Sequence, residues 1–205
     1  MGTTPDIRRG RLKQLLDKKG FVRILEAHSS LSALIVKNSA VRSEDGRTVE
    51  FDAMWLSSLT DSTAKGKPDI ECVDLTNRLH TVNDILEVTT KPIIYDKDSG
   101  GNVDQFRFTV RTLERLGVSM VIIGDKKGRK RNSLYAADNL QPQEDIEVMC
   151  EKIATGKRAR VTEDFMIAAR CESLILGYGQ GDALRQVRAY VEAGANAAVD
   201  RKSVV

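Results

Sequence analysis

The stretch that decides the fold is PIIYDKDSGGNVDQFRFTVRTLERLGVSMVII, residues 92–123. It begins with a short apolar run, Pro92–Asp96, continues into a segment with apolar residues at helical spacing, and returns to a second apolar run, Ser119–Ile123. Gly117 separates the helical segment from the second run, as expected of a glycine just after a helix. The pattern predicts a β-strand, a helix and a second strand, which is the unit of a parallel sheet.

The same alternation recurs on both sides of this unit. We predict four further strands and three further helices, with apolar residues on one face of each helix. The further strands are Val22–Ala27, Ala53–Ser57, Phe165–Ala169 and Ala197–Val199. The further helices carry Leu75, Leu79, Val82 and Leu86; Ile146, Met149, Cys150 and Ile153, ending at Gly156; and Leu184, Val187 and Val191, running from a cap at Asp182 to Gly194.

Six strand–helix units in series predict an α/β fold, either a TIM-type (β/α) barrel or an open doubly wound sheet, and the periodicity does not separate the two. A complete eight-stranded barrel typically needs about 250 residues. The chain has 205 residues. If the fold is a barrel, we expect a single domain, residues 1–205, that is incomplete and holds about six of the eight units.

The composition limits the classes of function. Hydrophobic residues make up 41% and charged residues 30%, which is typical of a globular protein, and the net charge of +3 does not call for nucleic acid. No apolar run approaches the roughly 20 residues that span a bilayer. Cys72, Cys150 and Cys171 are odd in number and far apart, so we expect reduced thiols and a cytoplasmic protein.

Ligands of parallel α/β folds bind where the strands end. After the second strand, Trp55-Leu56-Ser57-Ser58-Leu59 could hold anionic oxygens through hydroxyls and amides, although this segment alone favours a helix cap. After the third strand, Asp96 and Asp98 supply oxygen ligands suited to Mg²⁺, with a polar turn capped at Asn102 as the alternative.

Two basic segments follow the next strands. Residues 126–131 carry five cations in six positions. They are a solvated surface run, a nucleic-acid patch, which the absence of interleaved aromatic residues makes the weaker alternative, or a loop that closes over an anionic substrate. Arg170, at the end of the fifth strand, could clamp a phosphoryl or carboxylate group, or could form a buried structural pair with Glu172.

Taken in order, these segments resemble phosphoenolpyruvate mutases, in the isocitrate lyase/phosphoenolpyruvate mutase superfamily, from about Phe21 to Ala197. The most specific part is Asp125-Lys126, five residues, then Asn132-Ser133. The sequence has no Lys-Cys-Gly-His type motif, which the superfamily's C–C lyases carry in their catalytic loop. The matching segments are residues 26–28, 55–59, 65–69, 96–101, 125–133 and 169–173.

The resemblance implies a barrel that interconverts phosphoenolpyruvate and phosphonopyruvate with Mg²⁺, and a homo-oligomer whose last helix is exchanged between subunits. It also implies a role for individual residues. Catalysis would fall to Asp69, Lys130, Asn132 and Ser133; substrate binding to Trp55, Ser57, Ser58, Leu59 and Arg170; and metal binding to Asp96 directly and Asp98 through water.

The sequence departs from the family pattern at three points. Gly124 stands where the family has a glutamate that supports the metal. The segment after the sixth strand, residues 198–203, lacks the family's histidine. We expect the last two strands and the exchanged helix to be missing, which would weaken the oligomer. The alternatives are therefore a phosphonopyruvate hydrolase, or a catalytically impaired barrel that binds an anionic metabolite.

Overall fold

The computed structural model describes residues 2–128, 130, 131 and 141–200 of the chain. Six parallel strands form one sheet, with helices between them, and a separate antiparallel hairpin lies between the first two. The elements are α1 Pro5–Lys19, β1 Ile24–Glu26, α2 Ser30–Asn38, β2 Ala40–Arg42, β3 Thr48–Glu50, β4 Ala53–Leu56, α3 Ser58–Ala64, α4 Leu75–Val88, β5 Ile93–Asp96, α5 Val103–Leu116, β6 Met120–Gly124, α6 Ile146–Ala159, β7 Met166–Cys171, α7 Gly179–Glu192 and β8 Ala197–Asp200.

The order of the strands separates the two predicted architectures. Neighbours in the sheet run β1-β4-β5-β6-β7-β8, which is the order of the chain once the hairpin is set aside. A doubly wound sheet reverses its strand order at a switch point, whereas a barrel does not. The fold is therefore an incomplete TIM-type barrel, and all six predicted strands are confirmed within one or two residues at each end.

The two faces of the sheet have different partners. Side chains such as Tyr95, Val121 and Ile167 point outward and form the main core with the helices. Side chains of the alternate positions, such as Ile94, point inward and form a second cluster that Leu12 of α1 also joins. The next inward positions toward the carboxyl ends of the strands are Asp96, Gly124 and Arg170. These three residues therefore form the inward layer at the carboxyl ends.

Two predicted helix boundaries are wrong. Helix α6 continues through Gly156 to Ala159, because the glycine allows the ring of Phe106 to approach the helix backbone. A β-carbon at Gly156 would lie 2.4 Å from Phe106 Cε1. Helix α7 begins at Gly179, and Asp182 lies in its first turn rather than at its cap. Over the described ranges, no helix combines the length and the apolar character needed to cross a bilayer.

Candidate active site

A buried ion pair joins the ends of β5 and β7. Arg170 Nη1 donates to both carboxylate oxygens of Asp96, at 3.1 Å each, and Arg170 Nε donates to Glu172 Oε1 at 3.1 Å. All three side chains are 1% exposed. The structural pair of Arg170 and Glu172 is thus confirmed, and the same guanidinium also reaches the aspartate predicted to bind metal.

Lys130 contacts three segments that are far from it in the sequence. Its Nζ donates to Ser58 Oγ at 2.6 Å, to Asp69 Oδ1 at 2.7 Å and to Asp98 Oδ1 at 2.6 Å. The ammonium is buried, and so are the two carboxylates. Asp98 adopts a left-handed backbone conformation, with φ of 56°, which is uncommon for a residue other than glycine and is often found at functional sites.

Arg78 of α4 contacts this cluster from the helix side of the sheet, and no sequence pattern singled it out. Its Nη1 donates to the backbone oxygen of Asp96 at 2.5 Å and lies 3.5 Å from Asp98 Oδ2. Its Nε donates to Asp61 Oδ2 at 3.1 Å, and its guanidinium stacks 4.4 Å from the centre of the Tyr95 ring. The available signal was its position beside Leu75 and Leu79 on the face of α4 that packs against the sheet, where an arginine needs a buried partner.

Glu71 is a second residue that sequence reasoning missed. Its Oε1 accepts hydrogen bonds from the backbone nitrogen of Ser99 at 3.0 Å and from Ser99 Oγ at 2.7 Å. Its own φ is 59°, again in the left-handed region. Glu71 therefore ties the loop that carries Asp69 to the turn that carries Asp98.

The cations around Asp96 keep its carboxylate ionised. Burial on its own would raise the pKa of Asp96, but Arg170, Lys130 and Arg78 together lower it to about 2. Burial also opposes the charge of Arg170, whereas Asp96 and Glu172 raise the pKa of the guanidinium above its ordinary value. Both groups are therefore charged at neutral pH.

One buried donor of the cluster remains available. Among the described residues, Arg170 Nη2 has no hydrogen-bond partner. It lies over Gly124, where a β-carbon would come within 2.8 Å of Nη2. A buried guanidinium nitrogen without a hydrogen-bond partner costs free energy, so Nη2 is suited to donate to an anionic oxygen of a ligand.

The remaining predicted residues are placed less centrally. Ser57 is the N-cap residue of α3 but makes no side-chain cap hydrogen bond, and Leu59 and Trp55 are half-buried nearby. Asn132 and Ser133 lie outside the described residues. The basic segment is not one solvated run, because Lys126 and Lys130 are buried while Lys127 is exposed. Asn102 caps α5, as the turn-and-cap alternative predicted.

Asp96 and Asp98 are the candidate ligands of a magnesium ion, and such an ion would need few ligands from the protein. Within residues 2–128, 130–131 and 141–200, no three His, Cys, Asp or Glu side chains gather closely enough to hold a metal ion. Mg²⁺ commonly takes only one or two carboxylates and completes its shell with water and substrate oxygens. The ammonium of Lys130 is itself a cation that Asp98 and Asp69 bind through their oxygen atoms. A donor set of Asp96 and Asp98 would therefore have the size that Mg²⁺ commonly takes from a protein.

Fold and site together define a barrel protein of the α/β class with buried aspartates, a lysine and an arginine at the carboxyl ends of its strands. The sequence profile described as phosphoenolpyruvate phosphomutase matches residues 12–199. The chain belongs to the phosphoenolpyruvate phosphomutase family.

Individual relatives agree with this assignment. The phosphoenolpyruvate phosphomutase of Tetrahymena pyriformis is 34% identical over 188 residues, which cover 91% of this chain and 59% of the relative. The crystal structure of the phosphoenolpyruvate phosphomutase from Streptomyces platensis subsp. rosaceus superposes with a TM-score of 0.83 at 32% identity, over 97% of this chain and 64% of that one. A phosphonopyruvate hydrolase in complex with oxalate and Mg²⁺ superposes with a TM-score of 0.80 at 28% identity, over 98% and 64%. The chain thus spans about three fifths of the length of these relatives.

Proposed function

We propose that the site interconverts phosphoenolpyruvate and phosphonopyruvate. The observation that carries this proposal is the contact of one ammonium, Lys130 Nζ, with Ser58, Asp69 and Asp98, next to the ion pair of Asp96 and Arg170. These groups come from separate segments of the chain, and together they offer two cations and a hydroxyl to a small, strongly anionic substrate.

Phosphoryl transfer depends on positioning and on charge neutralisation more than on covalent chemistry by the protein. Arg170 Nη2 donates to an anionic oxygen of the substrate, since its other nitrogens are already engaged. Lys130 exchanges its contacts with Asp69 and Asp98 for contacts with phosphoryl oxygens. Asp96 and Asp98 would hold Mg²⁺, which when bound supplies positive charge to the enolate and carboxylate oxygens.

The burial of the cluster serves the reaction as well. Ser58, Asp69, Asp96, Lys130 and Arg170 are each at most 7% exposed. A site that excludes water strengthens each electrostatic contact within it and protects the migrating phosphoryl group from hydrolysis.

The test is ³¹P NMR of phosphonopyruvate with Mg²⁺ and the protein. The equilibrium should favour the enol phosphate because the C–P bond is hard to form, so the phosphonate signal should decrease as a phosphoenolpyruvate signal appears. Lys130→Met is the inactive comparison and Lys127→Met, on the exposed side of the same segment, is the matched control. Absence of any conversion by the parent chain would refute the proposal.

A second candidate is hydrolysis of phosphonopyruvate to pyruvate and phosphate. It is favoured by the superposition on a phosphonopyruvate hydrolase over 98% of this chain. A coupled dehydrogenase assay separates the two candidates, because only hydrolysis releases pyruvate. Rapid pyruvate formation without phosphoenolpyruvate would favour the hydrolase.

A third candidate is binding of an anionic metabolite without turnover. The observation that favours it is Gly124, which supplies no carboxylate next to Asp96 and Asp98, and among the described residues no three His, Cys, Asp or Glu side chains gather closely enough to hold a metal ion. Calorimetric titration with oxalate, an enolate mimic, in the presence of Mg²⁺ measures this binding directly. Binding without conversion of phosphonopyruvate would support this candidate.

We also propose that the chain forms a homo-oligomer. In the described part of the sheet, β1 pairs only with β4 and β8 pairs only with β7, so each presents one unpaired edge. Exposed strand edges tend to be covered by another chain. Sedimentation equilibrium at micromolar concentration should detect an assembly larger than the monomer of 22.7 kDa.

A further inference from the structure

Asp125, the residue that follows β6, is a fully buried carboxylate outside the cluster around Lys130. It accepts hydrogen bonds from Gln143 Nε2 at 2.7 Å, from the Tyr190 hydroxyl at 2.7 Å and from the backbone nitrogen of Glu172 at 2.9 Å. Burial raises the pKa of Asp125, against the effect of these donors. A carboxylate placed in the interior at this cost, with several donors arranged around it, calls for a reason.

Backbone pairing connects Asp125 to the two ends of the segment that carries Lys130. The backbone nitrogen of Glu144 donates to the backbone oxygen of Asp125 at 2.8 Å, and that of Lys127 donates to the oxygen of Pro142 at 2.9 Å. Residues 126 and 143 form an antiparallel bridge. Residues 125–127 and 142–144 therefore form a paired stem at the end of β6.

The side chain of Gln141 extends this pairing toward Lys130. Its Oε1 accepts from the backbone nitrogen of Arg131 at 2.8 Å, and its Nε2 donates to the backbone oxygen of Lys127 at 2.5 Å. The main chain on either side of Lys130 is thus held by the returning side of the stem. The Lys130 ammonium reaches its three partners from this fixed base.

The opposite side of the network reaches Arg170 and α7. The backbone nitrogen of Asp125 donates to the backbone oxygen of Arg170 at 3.1 Å. Gln143 Nε2 donates to Ser173 Oγ at 2.8 Å, and Ser173 Oγ donates to Asp182 Oδ2 at 2.8 Å. Asp125 thus lies between the segment of Lys130 and the strand end of Arg170.

We propose that Asp125, Gln143 and Tyr190 are positioning residues that hold the Lys130 ammonium in the site through the stem. Lysine side chains are long and lose much conformational freedom when they are ordered, so an accurately placed ammonium needs support from a rigid base. The role of Lys130 in catalysis rests on the proposed function, whereas its placement by the network is tested separately.

The experiment is reductive methylation of the full chain with formaldehyde and cyanoborohydride, followed by mass spectrometry of the peptides. Tyr190→Phe removes one hydroxyl and Gln143→Leu removes the amide that joins the two sides. Tyr178→Phe is the matched control, because Tyr178 is 57% exposed. Lys91 is the internal control, since its side chain is 13% exposed and donates to the backbone oxygen of Phe51 before β5, at the opposite end of the sheet from the stem.

We expect methylation of Lys130 to accelerate about tenfold in Tyr190→Phe and more in Gln143→Leu, as the loss of hydrogen bonds to a charged acceptor implies. Methylation of Lys91 should not change in either variant, and Tyr178→Phe should behave as the parent. If Lys130 stays protected in both variants, the network does not position it. If Lys130 and Lys91 become more reactive together, the network supports the fold as a whole and the proposal is wrong. Neither outcome depends on whether the chain converts phosphonopyruvate.

Discussion

Gly124 allows the most direct test of how Arg170 is held. An added β-carbon would lie 2.8 Å from Arg170 Nη2 and 3.2 Å from both Cζ and Nε. Ordinary contacts of this kind are about 3.5 Å or longer, so the guanidinium would have to move away by about half an ångström or more. It cannot do so freely, because its bonds to Asp96 and Glu172 are already 3.1 Å long.

The magnitude for Gly124→Ala follows from two opposing effects. Alanine in a strand is ordinarily more stable than glycine by about 0.5–1 kcal/mol. Losing one hydrogen bond of a buried charged pair costs about 1.5–3 kcal/mol. The net expectation is a loss of about 1–2 kcal/mol, which in a chain of this size lowers Tm by about 2–8 °C.

The assay is a thermal melt at neutral pH together with titration of oxalate. Gly181→Ala is the matched control, because Gly181 lies in α7, has no atom within 4 Å of an added β-carbon, and has no left-handed backbone conformation. That variant should be as stable as the parent or slightly more stable, with unchanged oxalate binding. A Gly124→Ala chain that melts at or above the parent temperature would refute the reasoning, because Arg170 would then have room that the geometry denies it.

Two further predictions concern the buried charges. Lys130→Met leaves Asp69 and Asp98 without their shared cation, so we expect a loss of about 3 kcal/mol in the free energy of unfolding; urea denaturation measures it, and a loss no larger than that of Lys127→Met would contradict the buried placement. Because the folded-state pKa of Asp96 is lowered to about 2 from 3.8, its ionisation contributes stability above pH 4 that is lost as the pH falls toward 2. The contribution is about 2 kcal/mol, and Asp96→Asn should make the free energy of unfolding less dependent on pH in that window; an unchanged slope would show that Asp96 does not titrate in this way.

The sequence predicted the six strands of the sheet and helices α4 to α7 from their apolar residues, but it missed α2, which buries Ala33 and Val36. Two of the residues that predicted α7, Leu184 and Val191, are exposed. All six strands of the sheet are short apolar runs, and their register follows from the alternation of inward and outward side chains. Helix α1 escaped prediction because its buried residues include Arg8, Arg9 and Gly10, which form no apolar stripe. The hairpin of β2 and β3 escaped because each strand has three residues, mostly exposed.

The sequence singled out several of the side chains that the structure brings together, but it missed Arg78 and Glu71 and did not indicate the contacts. Asp96 and Arg170 stand at strand ends, where polar side chains in a parallel sheet indicate ligand binding. The resemblance to a family added Asp69 and Lys130. That one ammonium joins Ser58, Asp69 and Asp98 depends on the path of three separate segments of the chain, which no local pattern of residues encodes. Arg78 was overlooked although its position beside Leu75 and Leu79 placed it on the buried face of α4, because the sequence does not show which groups it pairs with.

The relation between Gly124 and Arg170 also decides what a glutamate would do at this position. Gly124→Glu brings the same crowding β-carbon as alanine, but its carboxylate can accept from Arg170 Nη2, which has no partner among the described residues. We therefore expect Gly124→Glu to melt above Gly124→Ala. The new pair draws the guanidinium away from Asp96, so oxalate binding without Mg²⁺ should weaken. With Mg²⁺ it should strengthen, because a carboxylate that supports a metal site is worth roughly 10–100-fold in affinity. Paired titrations with and without Mg²⁺ measure both effects. Weaker binding of oxalate by Gly124→Glu under both conditions would show that Asp96 and Asp98 do not form a metal site that a third carboxylate can support.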